Sequence, residues 1–361
     1  MTVTAACAAA LSALVAVPLL WSRPGRPRPF LDPQGNPLRG SLSEKIRVRV
    51  NDCEMGMILK ARDVTRPVLL YLHGGMPDYF LTQRYPTGLD EEFVVCWWDQ
   101  RGAGLSFDPR RPPRVLTLEQ LVSDALAVTS YLRQRFGCAR IYLMGHSGGT
   151  FVGMHAVARA PELFHAYIGV AQMANQARSE ERAYEYMLGR FRELGNTRMV
   201  RRLEACPVTR HGAVPGAYLA VRDRAMHALG IGTMRQMESV VSGLLLESFR
   251  NRELTLAEKI NLWRGKMATG VSSVWTEMLA MDLSTGVPEV RVPVYFFHGV
   301  HDYTCGYAEA ASYFDALKAP LKGFYSFGHS AHSPMFEEPA RMMQIIRDDV
   351  LAGTNGLADR R

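Results

Sequence analysis

One short stretch of the sequence has the spacing of a serine nucleophile. In YLMGHSGGTF, 142–151, Gly145, Ser147 and Gly149 form G-x-S-x-G between a strand-like run and a helical pattern. This context is typical of a sharp turn that exposes a serine hydroxyl at the start of a helix. We therefore predict Ser147 as the nucleophile and the backbone N–H of Gly148 as an oxyanion donor.

A serine hydroxyl needs a base, and the base needs an acid that fixes its tautomer. With this type of turn, the partners follow in the chain order serine, acid, histidine. Asp302 lies just past a later strand-like run in YFFHGVHDYTC, whereas the run ending near Gln172 is followed by QMANQ, without a carboxylate. Asp302 is therefore the predicted acid. As an N-cap for a helix at 306–318 it would lie slightly too early.

Two histidines are candidates for the base. His329 and His332 stand three residues apart in FYSFGHSAHSPMFEEP, 324–339, between a strand-like run and a predicted helix. Histidine has a pKa close to neutral pH, so either residue is suited to act as a general base. The residues alone leave the choice open.

The stretch LLYLHGGMPD, 69–78, is expected to supply the second oxyanion donor. In His73-Gly74-Gly75 the glycines let the backbone approach a reacting carbonyl without a side chain in the way. Gly75 is the predicted donor, with Met76 behind it. His73 is interpreted as a brace for this loop rather than as a catalytic group.

Strand-like runs and helical patterns alternate around these residues. Strands are predicted at 45–50, 53–61, 67–75, 92–102, 139–145, 166–172, 290–302 and 322–328. Helices are predicted at 117–136, 148–160, 306–318 and 339–351, the first with Thr117 and Gln120 in a capping-box arrangement. The alternation indicates an α/β fold with a mostly parallel sheet flanked by helices.

The stretch 175–286 lacks strand-like runs and consists of amphipathic, methionine-rich helices. Because sheet-like sequence resumes after it, we predict an all-helical cap inserted between two strands of one core, whose parts are 44–174 and 287–352, with a tail at 353–361. Such methionines are typical of adaptable core packing, and the functional alternative is a lid over a pocket.

Composition excludes several classes of protein. With 361 residues and 47% hydrophobic content, the chain can bury a substantial core. Its net charge of +7 comes from arginines scattered among acidic residues, so no nucleic-acid partner is predicted. The six cysteines form no CxxC pair and are expected to be free thiols. With no P-loop or metal-ligand cluster, no cofactor or metal is predicted, and the oligomeric state stays undetermined.

The N-terminal residues 1–22 carry no charged side chain. As a helix, 3–21 would span roughly 28 Å, close to the hydrocarbon thickness of a bilayer. The arginines come only afterwards, in an Arg/Pro-rich linker at 23–43. This order favours a membrane anchor with the catalytic domain on the cytoplasmic side. The alternatives are a cleaved export signal, which would give a secreted protein, and a weak alanine-rich extension.

Five motifs together resemble a known family. HGGMPD, WWDQRGAGLS, MGHSGGT, HGVHD and AHSPMFEEP are similar, in order and spacing, to those of the α/β-hydrolase superfamily, most closely its prolyl iminopeptidase-like branch, peptidase family S33. The resemblance covers 41–175 and 287–352. It implies an α/β-hydrolase fold with a helical cap and a triad of Ser147, Asp302 and His332.

The resemblance also bears on the two histidines. In the superfamily an acidic residue commonly follows the catalytic histidine by five positions and a proline by seven. His332 has Glu337 and Pro339 in these places, whereas His329 does not meet the pattern. Iminopeptidases often read GHSA, which matches 328–331, so His329 is retained as the alternative base.

Two departures from the iminopeptidases weaken the peptidase interpretation. Their usual HGGPG is HGGMPD here, and Gly148 replaces the tryptophan that usually follows their serine. The cap acids that hold a substrate amine in that branch are not identified; Glu277, Glu247 and Glu204 are candidates that fit a solvated helix face better. We therefore expect a prolyl iminopeptidase-like serine hydrolase that cleaves an ester or amide bond of a small molecule or short peptide, with a carboxylesterase or lipase-like enzyme as the alternative. A binding protein on the same fold is the remaining reading.

Overall fold

The computed structural model describes residues 17, 19–110, 116–209, 214–269 and 273–361. Eight strands form one sheet, in the order β1-β2-β4-β3-β5-β6-β7-β8. The strands are β1 (Leu42–Val50), β2 (Cys53–Ala61), β3 (Val68–Leu72), β4 (Val94–Trp98), β5 (Ile141–His146), β6 (Phe164–Val170), β7 (Val294–Gly299) and β8 (Lys322–Phe327). β2 pairs antiparallel with β1 and β4, and β3 to β8 are mutually parallel.

The helices follow the strands as crossovers or fill the long connection between β6 and β7. They are α1 (Leu89–Glu92), α2 (Leu118–Phe136), α3 (Gly148–Arg159), α4 (Gln176–Glu193), α5 (Thr197–Glu204), α6 (Gly216–Ala228), α7 (Leu246–Arg250), α8 (Leu256–Thr269), α9 (Ser273–Ala280), α10 (Leu283–Gly286), α11 (Tyr307–Ala316), α12 (Pro334–Glu337) and α13 (Pro339–Ile345). π-helical turns precede α7, at Val241–Leu245, and follow α13, at Ile346–Val350.

The central strands are buried on both faces because helices cover each side of the sheet. Along β3, Leu70 and its alternate neighbours pack into one core with α2, α3 and α11. Leu69 and Tyr71, which point the other way, pack into a second core with α13. This period of two explains why the parallel strands read as continuous apolar runs.

In the described residues from α4 to α10, helices are joined by turns and loops, and they share a small apolar core that includes Met187, Leu203 and Tyr218. The N-terminal stretch packs against these helices. Lys259 Nζ donates hydrogen bonds to Ser22 Oγ at 3.1 Å and to the Trp21 carbonyl at 3.2 Å.

The α/β architecture with a mostly parallel sheet is confirmed. At α2, Thr117 Oγ1 accepts the Gln120 N–H at 3.2 Å, while the Gln120 side chain turns to Asp124, so half of the expected capping box forms. None of the helices in the described ranges combines the length and hydropathy of a transmembrane span. The predicted anchor at 3–21 lies almost wholly outside those ranges.

Candidate active site

Ser147 lies in the sharp turn between β5 and α3 with a left-handed backbone, φ 55° and ψ −127°. Neighbouring glycines make this turn sterically feasible. A Cβ on Gly145 would lie 2.7 Å from the Gly149 carbonyl oxygen, and one on Gly149 would lie 2.1 Å from the Leu72 carbonyl oxygen. Strain in a non-glycine residue at such a turn is characteristic of functional positions.

Asp302 and His332 are brought together at the ends of β7 and β8. His332 Nδ1 donates to Asp302 Oδ2 at 2.9 Å, and both residues are buried. Asp302 Oδ1 accepts the backbone N–H groups of Thr304 at 2.8 Å and Cys305 at 3.0 Å. These bonds fix the carboxylate and leave His332 Nε2 as the unprotonated, accepting nitrogen when the ring is neutral.

The two groups influence each other's protonation. Burial alone would raise the pKa of Asp302, but the charge of His332 and the hydrogen bonds from His298 and His332 hold that pKa well below its usual range. Burial lowers the pKa of His332, and the Asp302 carboxylate opposes this only in part. Near neutral pH the pair is therefore a carboxylate beside a neutral imidazole, the state that a general base requires.

Ser147 and His332 line one cavity of about 200 Å³. Within the described residues the serine hydroxyl makes no hydrogen bond to His332; its Oγ lies 4.0 Å from Cys305 Sγ. Hydrogen bonds between a nucleophile and its base are often long in free enzymes and tighten with substrate.

His329 is exposed, and in the described structure its ring makes no hydrogen bond or ion pair to Asp302 or His332. Its backbone N–H donates to Glu338 Oε2 at 2.9 Å. Glu337 braces the loop from within: Oε2 accepts the Ala331 N–H at 2.9 Å, and Oε1 accepts the Arg235 N–H at 2.7 Å. Burial raises the pKa of Glu337 to about 7.

The glycine loop after β3 lies directly against the serine. A Cβ on Gly74 would be 2.6 Å from Ser147 Cβ and 3.1 Å from its Oγ, so only glycine fits there. His73 braces the loop: its Nδ1 donates to the Gly74 carbonyl at 2.8 Å, and its Nε2 accepts the Gln100 N–H at 3.0 Å. Burial lowers the pKa of His73 to about 4, which keeps the ring neutral in this role.

Ser147 also lines a larger cavity of about 500 Å³. Apolar side chains line much of it, including Val274, Trp275 and Met278. The residues that line both cavities are Gly74, Gly75, Ser147, Arg222, Asp223, Lys266 and Thr304. Ser147 thus lines two adjoining cavities.

Several residues near the site were not anticipated from the sequence. His146 precedes the serine, and its ring lies 3.1 Å from Asp78 Oδ2 through Nδ1 and 3.0 Å from the His332 carbonyl through Nε2. His298 lies 3.3 Å from Asp302 Oδ2. The sequence signals were the H-x-x-x-D spacing of His298 and Asp302 and the position of His146 next to Ser147. Neither signal is specific to a functional site.

The acids considered from the sequence do not line these cavities. Glu247 pairs with Arg84 at 2.6 Å and with Arg250 at 2.7 Å, and Glu204 pairs with Arg192 at 2.7 Å. Among the described residues, no group of histidine, cysteine and carboxylate side chains is arranged to hold a metal ion.

Comparisons with known proteins bear on the class of protein. The sequence model of the family "Serine aminopeptidase, S33" matches residues 64–243. YbaC of Bacillus subtilis, described as a probable aminopeptidase, is 28% identical over 311 residues, which cover 84% of this chain and 95% of YbaC.

Solved structures share the fold. A proline iminopeptidase from Mycobacterium smegmatis has a TM-score of 0.62 at 19% identity, covering 86% of this chain and 100% of its own. A proline iminopeptidase-related protein from Thermus thermophilus has a TM-score of 0.60 at 20% identity, covering 86% and 98%. An esterase from Thermogutta terrifontis has a TM-score of 0.53 at 18% identity, covering 86% and 98%.

The sheet order, the turn at Ser147 and these likenesses define the α/β-hydrolase fold. Together with the family match and the YbaC relationship, they make the chain a hydrolase enzyme of the aminopeptidase or esterase type. Among proteins of this fold, the chain is similar to the S33 serine aminopeptidases and to YbaC.

Proposed function

We propose that the protein cleaves an ester or amide bond with Ser147 as nucleophile, His332 as general base and Asp302 as the acid that orients it. The observation that carries this proposal is the 2.9 Å hydrogen bond from His332 to Asp302 beside a serine held in a strained turn. The class of enzyme rests on the fold and the comparisons; the residue roles rest on this arrangement.

The proposed reaction has two steps. His332 Nε2 takes the Ser147 hydroxyl proton while Oγ attacks the carbonyl, and the same nitrogen then protonates the leaving group as the acyl-enzyme forms. Water then attacks the acyl-enzyme while His332 takes its proton. This second step releases the acyl group and restores the Ser147 hydroxyl. The backbone N–H groups of Gly75 and Gly148 are the proposed donors to the oxyanion; the second lies at the start of α3, where the helix dipole favours negative charge.

The helical stretch between β6 and β7 is proposed as the cap of this site. Arg222 on α6, Lys266 on α8 and Met278 on α9 all line the larger cavity. A Cβ on Gly148 would meet the terminal methyl of Met278 at 3.4 Å, so this helix lies close over the nucleophile. Substrate selection is therefore assigned to this stretch.

Aminopeptidase activity is the first candidate, supported by the family match and the description of YbaC. Esterase activity is the second, and the apolar lining of the 500 Å³ cavity favours it, because that lining suits an acyl chain better than an amino group. Both candidates share the same acyl-transfer chemistry.

The test compares L-proline p-nitroanilide with p-nitrophenyl butyrate, using wild type, Ser147→Ala and Ser130→Ala. Ser130 is an exposed serine on α2 and provides the control. Turnover that is lost in Ser147→Ala and kept in Ser130→Ala supports the proposal, and the preferred substrate separates the two candidates. Equal turnover by wild type and Ser147→Ala would overturn it.

A further inference from the structure

A cation without a hydrogen-bond or ion-pair partner among the described residues lies beside the proposed reaction centre. A Cβ on Gly75 would lie 3.0 Å from Lys266 Nζ, and Gly75 follows the glycine that touches Ser147. Lys266 lines both cavities. Within the described ranges its ammonium has no hydrogen bond or ion pair.

The other cations of the two cavities are neutralised by the protein. Arg222 binds Glu180 at 2.7 Å and Asp223 at 3.2 Å. Arg101 binds Asp124 at 2.7 Å and Asp52 at 2.8 Å. Among the described residues that line the two cavities, Lys266 is thus the lysine or arginine that lacks an ion pair within the protein.

The environment of Lys266 makes an unpaired ammonium costly. Burial lowers the pKa of Lys266, Asp223 opposes this shift, and Arg222 adds to it by repulsion. A half-buried charge gains most from an anion that enters its pocket, because that partner replaces lost hydration. A substrate placed against Ser147 would bring its own groups within reach of this ammonium.

We propose that Lys266 recognises a carboxylate of the substrate, so that the preferred esters or amides carry an anionic group close to the scissile bond. This inference rests on the proposed function and adds the substrate class. Mono-esters of dicarboxylic acids present such a group on the acyl part. Dipeptides present it on the leaving part, because their carboxyl carbon is two bonds from the scissile nitrogen. An isolated ammonium on the substrate would instead be repelled by Lys266.

The test measures kcat/KM for two pairs of esters that differ in one charge. In the first pair, mono-p-nitrophenyl succinate carries a carboxylate on the acyl part, and p-nitrophenyl butyrate lacks it. In the second pair, the butyrate ester of 4-hydroxybenzoate carries a carboxylate on the leaving group, and the butyrate ester of 4-hydroxybenzamide has a neutral amide there. Wild type should prefer the anionic member of one pair by about 10- to 100-fold, the range for a charge-assisted hydrogen bond.

The ratio of kcat/KM for the anionic ester to kcat/KM for the neutral ester should fall towards one in Lys266→Met. It should largely return in Lys266→Arg. Lys318→Met is the matched control, because it removes the same charge from an exposed site outside both cavities. Absence of preference in wild type for both pairs, or a preference unchanged in Lys266→Met, would overturn the inference. If neutral esters are hydrolysed in a Ser147-dependent way without anionic preference, this inference alone fails; if hydrolysis does not depend on Ser147, the proposed function fails.

Discussion

Replacing Asp302 with asparagine should disable the proposed base through its tautomer. The Asp302 carboxylate accepts two backbone N–H groups on Oδ1 and His332 on Oδ2. An asparagine has one accepting oxygen, and two fixed backbone donors compete for it against His332 and against a longer contact from His298, whose Nε2 lies closer to the Cys305 carbonyl. The amide oxygen should therefore face Thr304 and Cys305, and its NH₂ should face His332.

That orientation places a donor against His332 Nδ1. The ring must then accept at Nδ1 and carry its proton on Nε2, where it cannot take the proton of Ser147. In a Ser-His-Asp triad, this exchange lowers kcat by about 10⁴, or about 5.4 kcal/mol of barrier. Because both backbone hydrogen bonds survive, we expect Asp302→Asn to fold.

The assay is the single-turnover rate with a p-nitrophenyl ester, alongside a thermal melt. The expected result is a fall of about 10⁴ in rate with a melting transition that remains cooperative. A folded Asp302→Asn variant that keeps more than about a tenth of the wild-type rate would refute the tautomer argument.

Three further predictions follow from the same contacts. His332→Ala should abolish turnover, whereas His329→Ala should keep a good fraction of the rate, because His329 is exposed and uses only its backbone N–H to bind Glu338. In a pH profile, kcat/KM should fall as His332 becomes protonated; its lowered pKa puts the midpoint below the ordinary 6.5. Glu180→Gln should lower the free energy of unfolding by about 3–5 kcal/mol, since it breaks a buried pair with Arg222.

Each has its own check. Loss of turnover in His329→Ala but not in His332→Ala would reverse the choice of base. A midpoint above 6.5 in the pH profile would contradict the effect of burial on His332. For Glu180→Gln, urea unfolding measures the free energy, and Glu204→Gln is the control: it removes an exposed pair with Arg192 and should cost less than about 1 kcal/mol.

The fold was predictable because its signals are local. Each parallel strand is a short apolar run, since both of its faces are buried, and each crossover helix has a period near 3.6. The turn at Ser147 was also predictable: its glycines are required by contacts shorter than any side chain allows, so the spacing itself is constrained.

The lining of the site was not predictable. Lys266 and Arg222 stand on helices of the stretch between β6 and β7, where charged residues at helical spacing are normally solvated. Their positions relative to Ser147 depend on how those helices pack over the sheet, and this packing involves contacts between residues far apart in the chain. The partner of Arg222, Glu180, is likewise 42 residues away in sequence.

The packing of the N-terminal stretch could not be predicted from the sequence either. Its Arg/Pro-rich composition indicates a linker, yet the Arg28 N–H donates to Glu253 at 2.8 Å and Lys45 Nζ donates to the Gly25 carbonyl at 2.7 Å. These partners are backbone groups and distant side chains, which leave no periodic pattern in the sequence.

Covalent labelling is the sharpest test of the proposal that Ser147 is an activated nucleophile. The native protein is treated with a fluorophosphonate probe and digested, and the modified peptide is identified by mass spectrometry, with heat-unfolded protein as the control. We expect stoichiometric modification at Ser147 in native protein only, and no labelling of Ser147→Ala. Absence of modification in folded protein, or modification of another serine with Ser147 intact, would contradict it.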